Sequence, residues 1–191
     1  MVAAYSNLGV EHQREVESLA RNYHIGGVIM MQGGPKRQLY FLQRLHNASS
    51  LPLLVGQDAE WGQAMRLDST YKFPTSLTVG AANNVALTKD LGKALAFECQ
   101  SVGVHVSFSP VLDVNTNPNN PIIGARSFGS TVQRVSAHGI AQIQGLQENG
   151  VLACGKHFPG HGDTHQDSHK TLPKVDRSLA ELKQMEWVPF K

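Results

Sequence analysis

The sequence has no block of like charge and no long apolar run. Its 17 basic residues face 15 acidic ones, a formal net charge of +2 over 191 residues. No basic patch or stripe offers an electrostatic footprint for nucleic acid, so that partner is not expected. Runs such as Gly26 to Met31 and Leu51 to Val55 fall far short of the ~20 apolar residues of a membrane helix, and no membrane span is expected either. Cysteine is scarce: Cys99 and Cys154 stand 55 positions apart, outside any Cys-x-x-Cys pair. That spacing argues against a disulfide framework or a zinc knuckle, and both are expected as free thiols in the core. A glycine-rich phosphate loop is also missing. Met1 to Tyr5 has neither the positive start nor the apolar stretch of a signal peptide, and it reads as a strand entered midway. Trp187 to Lys191 ends on core-type residues without a polar tail. Both ends are therefore expected to be internal to a longer protein, which leaves the compartment open. The remaining balance, 41% hydrophobic and 17% charged, is that of an ordinary globular domain.

Five short β-like runs are rich in Val, Ile and Leu with little alternation: Met1–Tyr5, Gly27–Met31, Pro52–Gln57, Val104–Phe108 and Val151–Lys156. Such runs suit parallel strands buried on both faces. Helical patterns lie between them. Val16, Leu19, Ala20 and Tyr23 form one stripe; Leu39, Leu42 and Leu45 form a second. Thr88 is read as the cap of a helix carrying Leu91, Leu95 and Cys99. Val132, Val135, Ile140, Ile143 and Leu146 mark a fourth helix, with Gly150 placed to end it. Ser178 and Glu181 form a capping box that opens a last helix through Met185. Alternation of strand and helix predicts an α/β fold with a parallel sheet. A (β/α)8 barrel and a doubly wound sheet both fit that order. The unusual residues follow several different strands: Gly33-Gly34, Asp58 to Glu60, Asp113 and His157. A barrel draws its site from many strand ends, whereas a doubly wound sheet concentrates it at one switch point. The expectation is an incomplete (β/α)8 TIM-type barrel over residues 1–191, with about five βα units present and the rest beyond Lys191.

Four of the nine histidines fall within residues 157–169, where an even spread would place about 0.6. The segment runs Lys156-His157-Phe158-Pro159-Gly160-His161-Gly162-Asp163-Thr164-His165-Gln166-Asp167-Ser168-His169, a loop by its Gly and Pro content. A loop this dense in titratable groups is hard to explain as packing. Two chemistries compete. His161, Asp163, His165 and His169 include metal-ligand types, but their spacing matches no zinc motif and Lys156 adds an unhelpful cation. The other reading is an acid–base dyad. Residues two apart in an extended segment point the same way, so Asp167 can hold one ring nitrogen of His169. The imidazolium can then protonate a leaving group and take a proton back from water. The dyad is the preferred reading.

The run from Lys156 to Thr164, followed by Asp167-Ser168-His169, resembles the signature of glycoside hydrolase family 3, β-N-acetylhexosaminidase branch. Leu53 to Glu60 is similar to that family's third-strand segment, Phe108 to Val114 to its fourth, and Ile123 to Gly129 to the arginine loop that follows. The resemblance spans nearly the whole chain and implies a (β/α)8-type catalytic domain and a carbohydrate substrate. It implies retaining hydrolysis of terminal β-linked N-acetylglucosamine from glycans or peptidoglycan fragments, without cofactor or metal. His169, oriented by Asp167, is implied as the acid/base, with an aspartate nucleophile beyond residue 191. Asp58, Arg66, Arg126, Lys156 and His157 are implied to hold the terminal sugar. Glu60 and Asp113 are expected to orient loops through backbone hydrogen bonds, and His161, Asp163 and His165 to shape the loop.

A histidine acid/base does not repel an anionic acceptor as a second carboxylate would. A phosphorolytic or transglycosylating relative is therefore the alternative. A metal-dependent hydrolase and a non-catalytic sugar-binding module are the readings from other classes. One departure from the family pattern is Trp61, where compact members carry glycine. It can stack on a second sugar or plug the barrel rim. Further domains are implied as partners in the whole protein, in a bacterial cytoplasm or periplasm.

Overall fold

The computed structural model describes residues 1–164 and 177–191. Five strands, β1 (Val2–Ala4), β2 (Gly27–Met30), β3 (Leu54–Gln57), β4 (Val106–Ser107) and β5 (Leu152–Ala153), form one parallel sheet in the order β1-β2-β3-β4-β5. The helices are α1 (Gly9–Tyr23), α2 (Pro35–Ala48), α3 (Ser76–Ala82), α4 (Val85–Ser101), α5 (Val132–Gln147) and α6 (Leu179–Gln184). Each strand pairs with its sequence neighbour and the order never reverses. A doubly wound sheet would turn back at a switch point. The fold is therefore the barrel type, and among the described residues its sheet is open, with β1 and β5 at the edges.

The main core collects Ala4, Val28, Met30 and Val55 from the sheet with Phe41, Leu45, Leu95, Cys99 and Leu146 from α2, α4 and α5. The stripes read from sequence mark these faces with some residues displaced. Tyr23, Leu39 and Ile140 are exposed, while Gln38, Phe41 and His138 are buried. Thr88 is not the cap of α4. Asn84 is, accepting a 3.0 Å hydrogen bond from Leu87 N, and Thr88 lies inside the helix donating back to Asn84 O. Cys99 is buried, and burial pushes its thiol up to about 12. Cys154, expected in the core, is exposed because it follows the edge strand β5. The α5 terminus closes as expected: Gly150, at φ +79°, donates to Gln147 O, and Val151 donates to Leu146 O. This is the paired hydrogen-bond pattern of a Schellman cap.

Helices α4 and α5 approach closely at Gly92 and Gly145. A Cβ on Gly145 would stand 2.2 Å from Lys89 O. In the same interface His138 is 1% exposed, stacks on Phe128 and lies 2.7 Å through Nδ1 from Thr88 Oγ1. Its Nε2 is buried and has no hydrogen-bond partner among the described residues. Burial, helped by the charge of Arg134, lowers the His138 pKa below its ordinary value. A lowered folded pKa means that the unfolded chain binds more protons, so stability falls as pH drops below the ordinary histidine value of ~6.5. Replacing His138 with glutamine is expected to flatten part of that fall. Urea unfolding at pH 7.5 and 5.5 checks this; parallel losses in both proteins would show that His138 is not linked to folding.

Candidate active site

The connections that leave the C-terminal ends of β3, β4 and β5 converge on a cavity of about 420 Å³. Asp58 follows β3 directly, and Glu60, Trp61, Met65 and Arg66 come from the same β3–α3 connection. Two ties hold that connection down. Gly33 N donates to Arg66 O and Asp68 N to Gly33 O, which binds it to the end of β2. Gln63 N donates to Glu98 Oε2 at 2.9 Å, which binds it to α4. Ile122 and Arg126 come from the long β4–α5 connection, with Arg126 ending a single 3-10 turn, Gly124–Arg126. Lys156 is held by backbone bonds on both sides, to Pro110 O and from Leu112 N.

The polar side chains form one unbroken chain. Arg66 Nη2 donates to Asp58 Oδ2 at 2.7 Å, and Lys156 Nζ to Asp58 Oδ1 at 2.7 Å. The same Lys156 lies 2.8 Å from Glu60 Oε1, whose carboxylate also accepts the fork of Arg126 at 2.7 and 2.9 Å. Arg126 Nη2 then lies 3.2 Å from His157 Nε2, and His157 Nδ1 lies 2.6 Å from Asp113 Oδ2. A guanidinium can only donate, so the network assigns the His157 hydrogen to Nδ1 and makes Nε2 the acceptor. Asp113 also accepts backbone bonds from His157 N and from His161 N, the latter at 2.7 Å.

Burial works to raise the pKa of Asp58, but the hydrogen bond and charge of Lys156, with the charge of Arg66, outweigh it and hold the carboxyl below its ordinary value. Glu60 follows the same balance, with burial overcome by Arg126 and Lys156. Both carboxylates are therefore ionised at neutral pH, and the cavity is lined by paired charges.

The structure brings together Asp58, Arg66, Arg126, Lys156 and His157, five of the seven site residues read from sequence. The other two, Asp167 and His169, lie outside the described residues, as does His165. Asp113 orients the loop through backbone bonds as expected. Glu60 does not: it grips Arg126 and Lys156 by their side chains, because a carboxylate buried at 3% exposure needs charged partners. His161 and Asp163 shape the loop, through Thr164 Oγ1 and Thr116 Oγ1 respectively. Among the described residues no three His, Cys, Asp or Glu side chains are grouped to hold a metal ion.

Sequence reasoning missed the base of the histidine-rich loop. Arg177 lies 3.1 Å from both Asp163 Oδ2 and Glu186 Oε1 and donates to Thr116 Oγ1. Burial raises the pKa of Glu186. Only its place between the capping-box helix and a Trp-Val-Pro turn could have flagged Glu186, and that is a weak signal.

Parallel strands in sequential order, with paired charges gathered at their C-terminal ends, form the active face of a barrel enzyme. The glycosyl hydrolase family 3 N-terminal domain matches residues 2–191, and the chain belongs to that family. It is 36% identical to beta-hexosaminidase A of Pseudoalteromonas piscicida, over 92% of this chain and 32% of that protein. A solved glycoside hydrolase family 3 beta-N-acetylglucosaminidase from Paenibacillus sp. superposes with a TM-score of 0.85 at 32% identity, over 99% of this chain and 37% of its own. The beta-glucoside phosphorylase BglX superposes with a TM-score of 0.90 at 26% identity, over 99% of this chain and 34% of that one. The chain spans 32% to 56% of the length of the curated relatives it matches.

Proposed function

We propose that this chain supplies the sugar-binding part and the acid/base of a retaining β-N-acetylhexosaminidase acting on terminal β-linked N-acetylglucosamine. The observation that carries the reading is the unbroken chain of charge from Arg66 through Asp58, Lys156, Glu60 and Arg126 to His157 around one cavity. Asp58, with its side chain 25% exposed, keeps lone pairs for two adjacent hydroxyls of the sugar. Arg66 and Lys156, already aimed at it, donate to the same hydroxyl oxygens. The backing of Asp58 by two cations keeps it an acceptor, and the burial of Glu60 keeps Arg126 and Lys156 in place before the sugar arrives.

Retaining cleavage needs a group that protonates the departing oxygen and a nucleophile on the opposite face of the ring. His169, held by Asp167, is assigned the first role. An aspartate outside residues 1–191 is assigned the second. Water then completes hydrolysis as His169 takes its proton.

The likeness to a phosphorylase supports a second reading, in which phosphate replaces water at the last step. One experiment tests both. The complete gene product carrying this chain is assayed on an aryl β-N-acetylglucosaminide and an aryl β-glucoside, in phosphate and in a non-phosphate buffer. Preference for the N-acetyl sugar with release of free sugar is expected. Preference for the plain glucoside sinks the substrate assignment, and sugar-1-phosphate as the main product favours phosphorolysis.

A further inference from the structure

Trp61 lines the cavity beside the charged side chains, and its surroundings suggest a role. Glu60 is anchored by Arg126 and Lys156, so the chain enters the turn at Ala59–Gly62 from a fixed point. Gly62 N donates to Ala59 O at 3.3 Å, which makes Trp61 the third residue of a tight turn. Gly62 has φ +91°, and a Cβ there would stand 2.7 Å from the Phe73 ring and 2.8 Å from the Glu98 carboxylate. The far side of the turn is therefore packed solid. Phe73 N closes it further by donating to Trp61 O at 3.3 Å. The indole is only half-buried and lines the cavity with Met65 and Ile122. Among the described residues its N–H makes no hydrogen bond.

Asp58 lies one residue past the end of β3, whereas Trp61 lies four past it, at the tip of the turn. Arg66 and Lys156 both turn back onto Asp58, and Trp61 takes part in neither bond. The charged cluster is suited to the hydroxyls of the terminal sugar, and the indole borders the same cavity without joining that cluster. We infer that Trp61 is a specificity-determining residue on the leaving-group side, a fixed platform for the apolar face of a second pyranose ring. A β-linked pyranose carries its hydroxyls at the rim and presents C–H groups on its faces. The indole offers a flat apolar surface for the face and an N–H donor for the rim. Met65 and Ile122 have no such surface. Because the turn is already rigid, little freedom is lost on binding, and contact remote from the cleaved bond can serve the chemical step.

The inference rests on the glycosidase reading above, and its test separates the two. The complete gene product is compared with Trp61→Ala, Trp61→Leu and Trp61→Phe on the β-1,4-linked disaccharide of N-acetylglucosamine and on its methyl β-glycoside. Loss of the indole is expected to lower kcat/KM for the disaccharide about five- to tenfold, with the methyl glycoside within about twofold. Leucine keeps apolar bulk without a flat face and is expected to behave as alanine, whereas phenylalanine restores most of the rate. Equal losses on both substrates would place Trp61 against the terminal sugar and overturn the inference, as would no loss on either. If the unaltered protein cleaves glucosides instead, the function reading falls, and the same comparison on the glucose disaccharide and methyl glucoside decides the role of Trp61.

Discussion

Replacing His169 with alanine is expected to lower the cleavage of an alkyl or sugar β-N-acetylglucosaminide by about 10²- to 10⁴-fold, the usual contribution of a positioned general acid. The loss depends on the leaving group. A dinitrophenolate departs without a proton, so the variant is expected to cleave the dinitrophenyl glycoside far better, relative to the unaltered protein, than the alkyl one. Proton donation also gives the unaltered protein a basic limb in its pH–rate profile, and the variant is expected to lose that limb. Asp167→Asn keeps the ring but removes the carboxylate that favours its charged form, so its rate should lie between the two. Equal losses on both leaving groups would mean that His169 shapes the site and moves no proton, and the acid/base would have to be sought elsewhere. The resemblance over residues 156–169 carries this expectation, because Asp167 and His169 lie outside the described residues.

Glu60→Ala is expected to destabilise the protein by about 3–5 kcal/mol, the range for removing one partner of a buried ion pair. Its side chain is 1% exposed, and its carboxylate takes three charged contacts, two from Arg126 and one from Lys156. Without it those two cations remain partly buried, with Asp58 and Asp113 as the nearest opposite charges among the described residues. Glu60→Gln keeps the shape and one acceptor, so a smaller loss is expected. The sign with pH follows from the lowered carboxyl. Its contribution is complete above the ordinary glutamate value and disappears as pH falls through the lower folded value. Urea unfolding at pH 7 measures the effect. A change under about 1 kcal/mol would show that the cluster behaves like a solvent-exposed pair.

The strand order and the site were legible for different reasons. Val, Ile and Leu runs without alternation located the five strands of the described sheet, although only β2 and β3 are mostly buried and β5 exposes Leu152. Gly150 and the Ser178–Glu181 box fixed helix ends through backbone chemistry that is local in sequence, and the structure shows both. Short-range reasoning failed where tertiary contacts decide. Tyr23 and Leu39 fit a helical stripe yet face outward, and Cys154 looks like a core thiol until the sheet edge is seen. Asp58, Arg66, Arg126, Lys156 and His157 could be singled out from motifs. That Glu60 is the buried hub joining two of them could not, since Arg126 and Lys156 lie 66 and 96 residues away. Arg177 and Asp163, 14 residues apart, meet across a loop whose sequence holds many other candidate pairs.

The sequential pairing of β1 through β5 also bears on how the molecule is assembled. Each strand docks on the one synthesised just before it, so the sheet can grow at one edge as the chain leaves the ribosome, and most of its pairings are made between neighbours. The charged network at the strand ends has the opposite character. Asp58 emerges early and meets Lys156 only 98 residues later, after β5 has been laid down. Until then Asp58 has Arg66 from its own connection, and Glu60 gains Arg126 from the connection after β4. The network therefore closes only when the connection after β5 delivers Lys156 and His157 to partners already placed by β3 and β4.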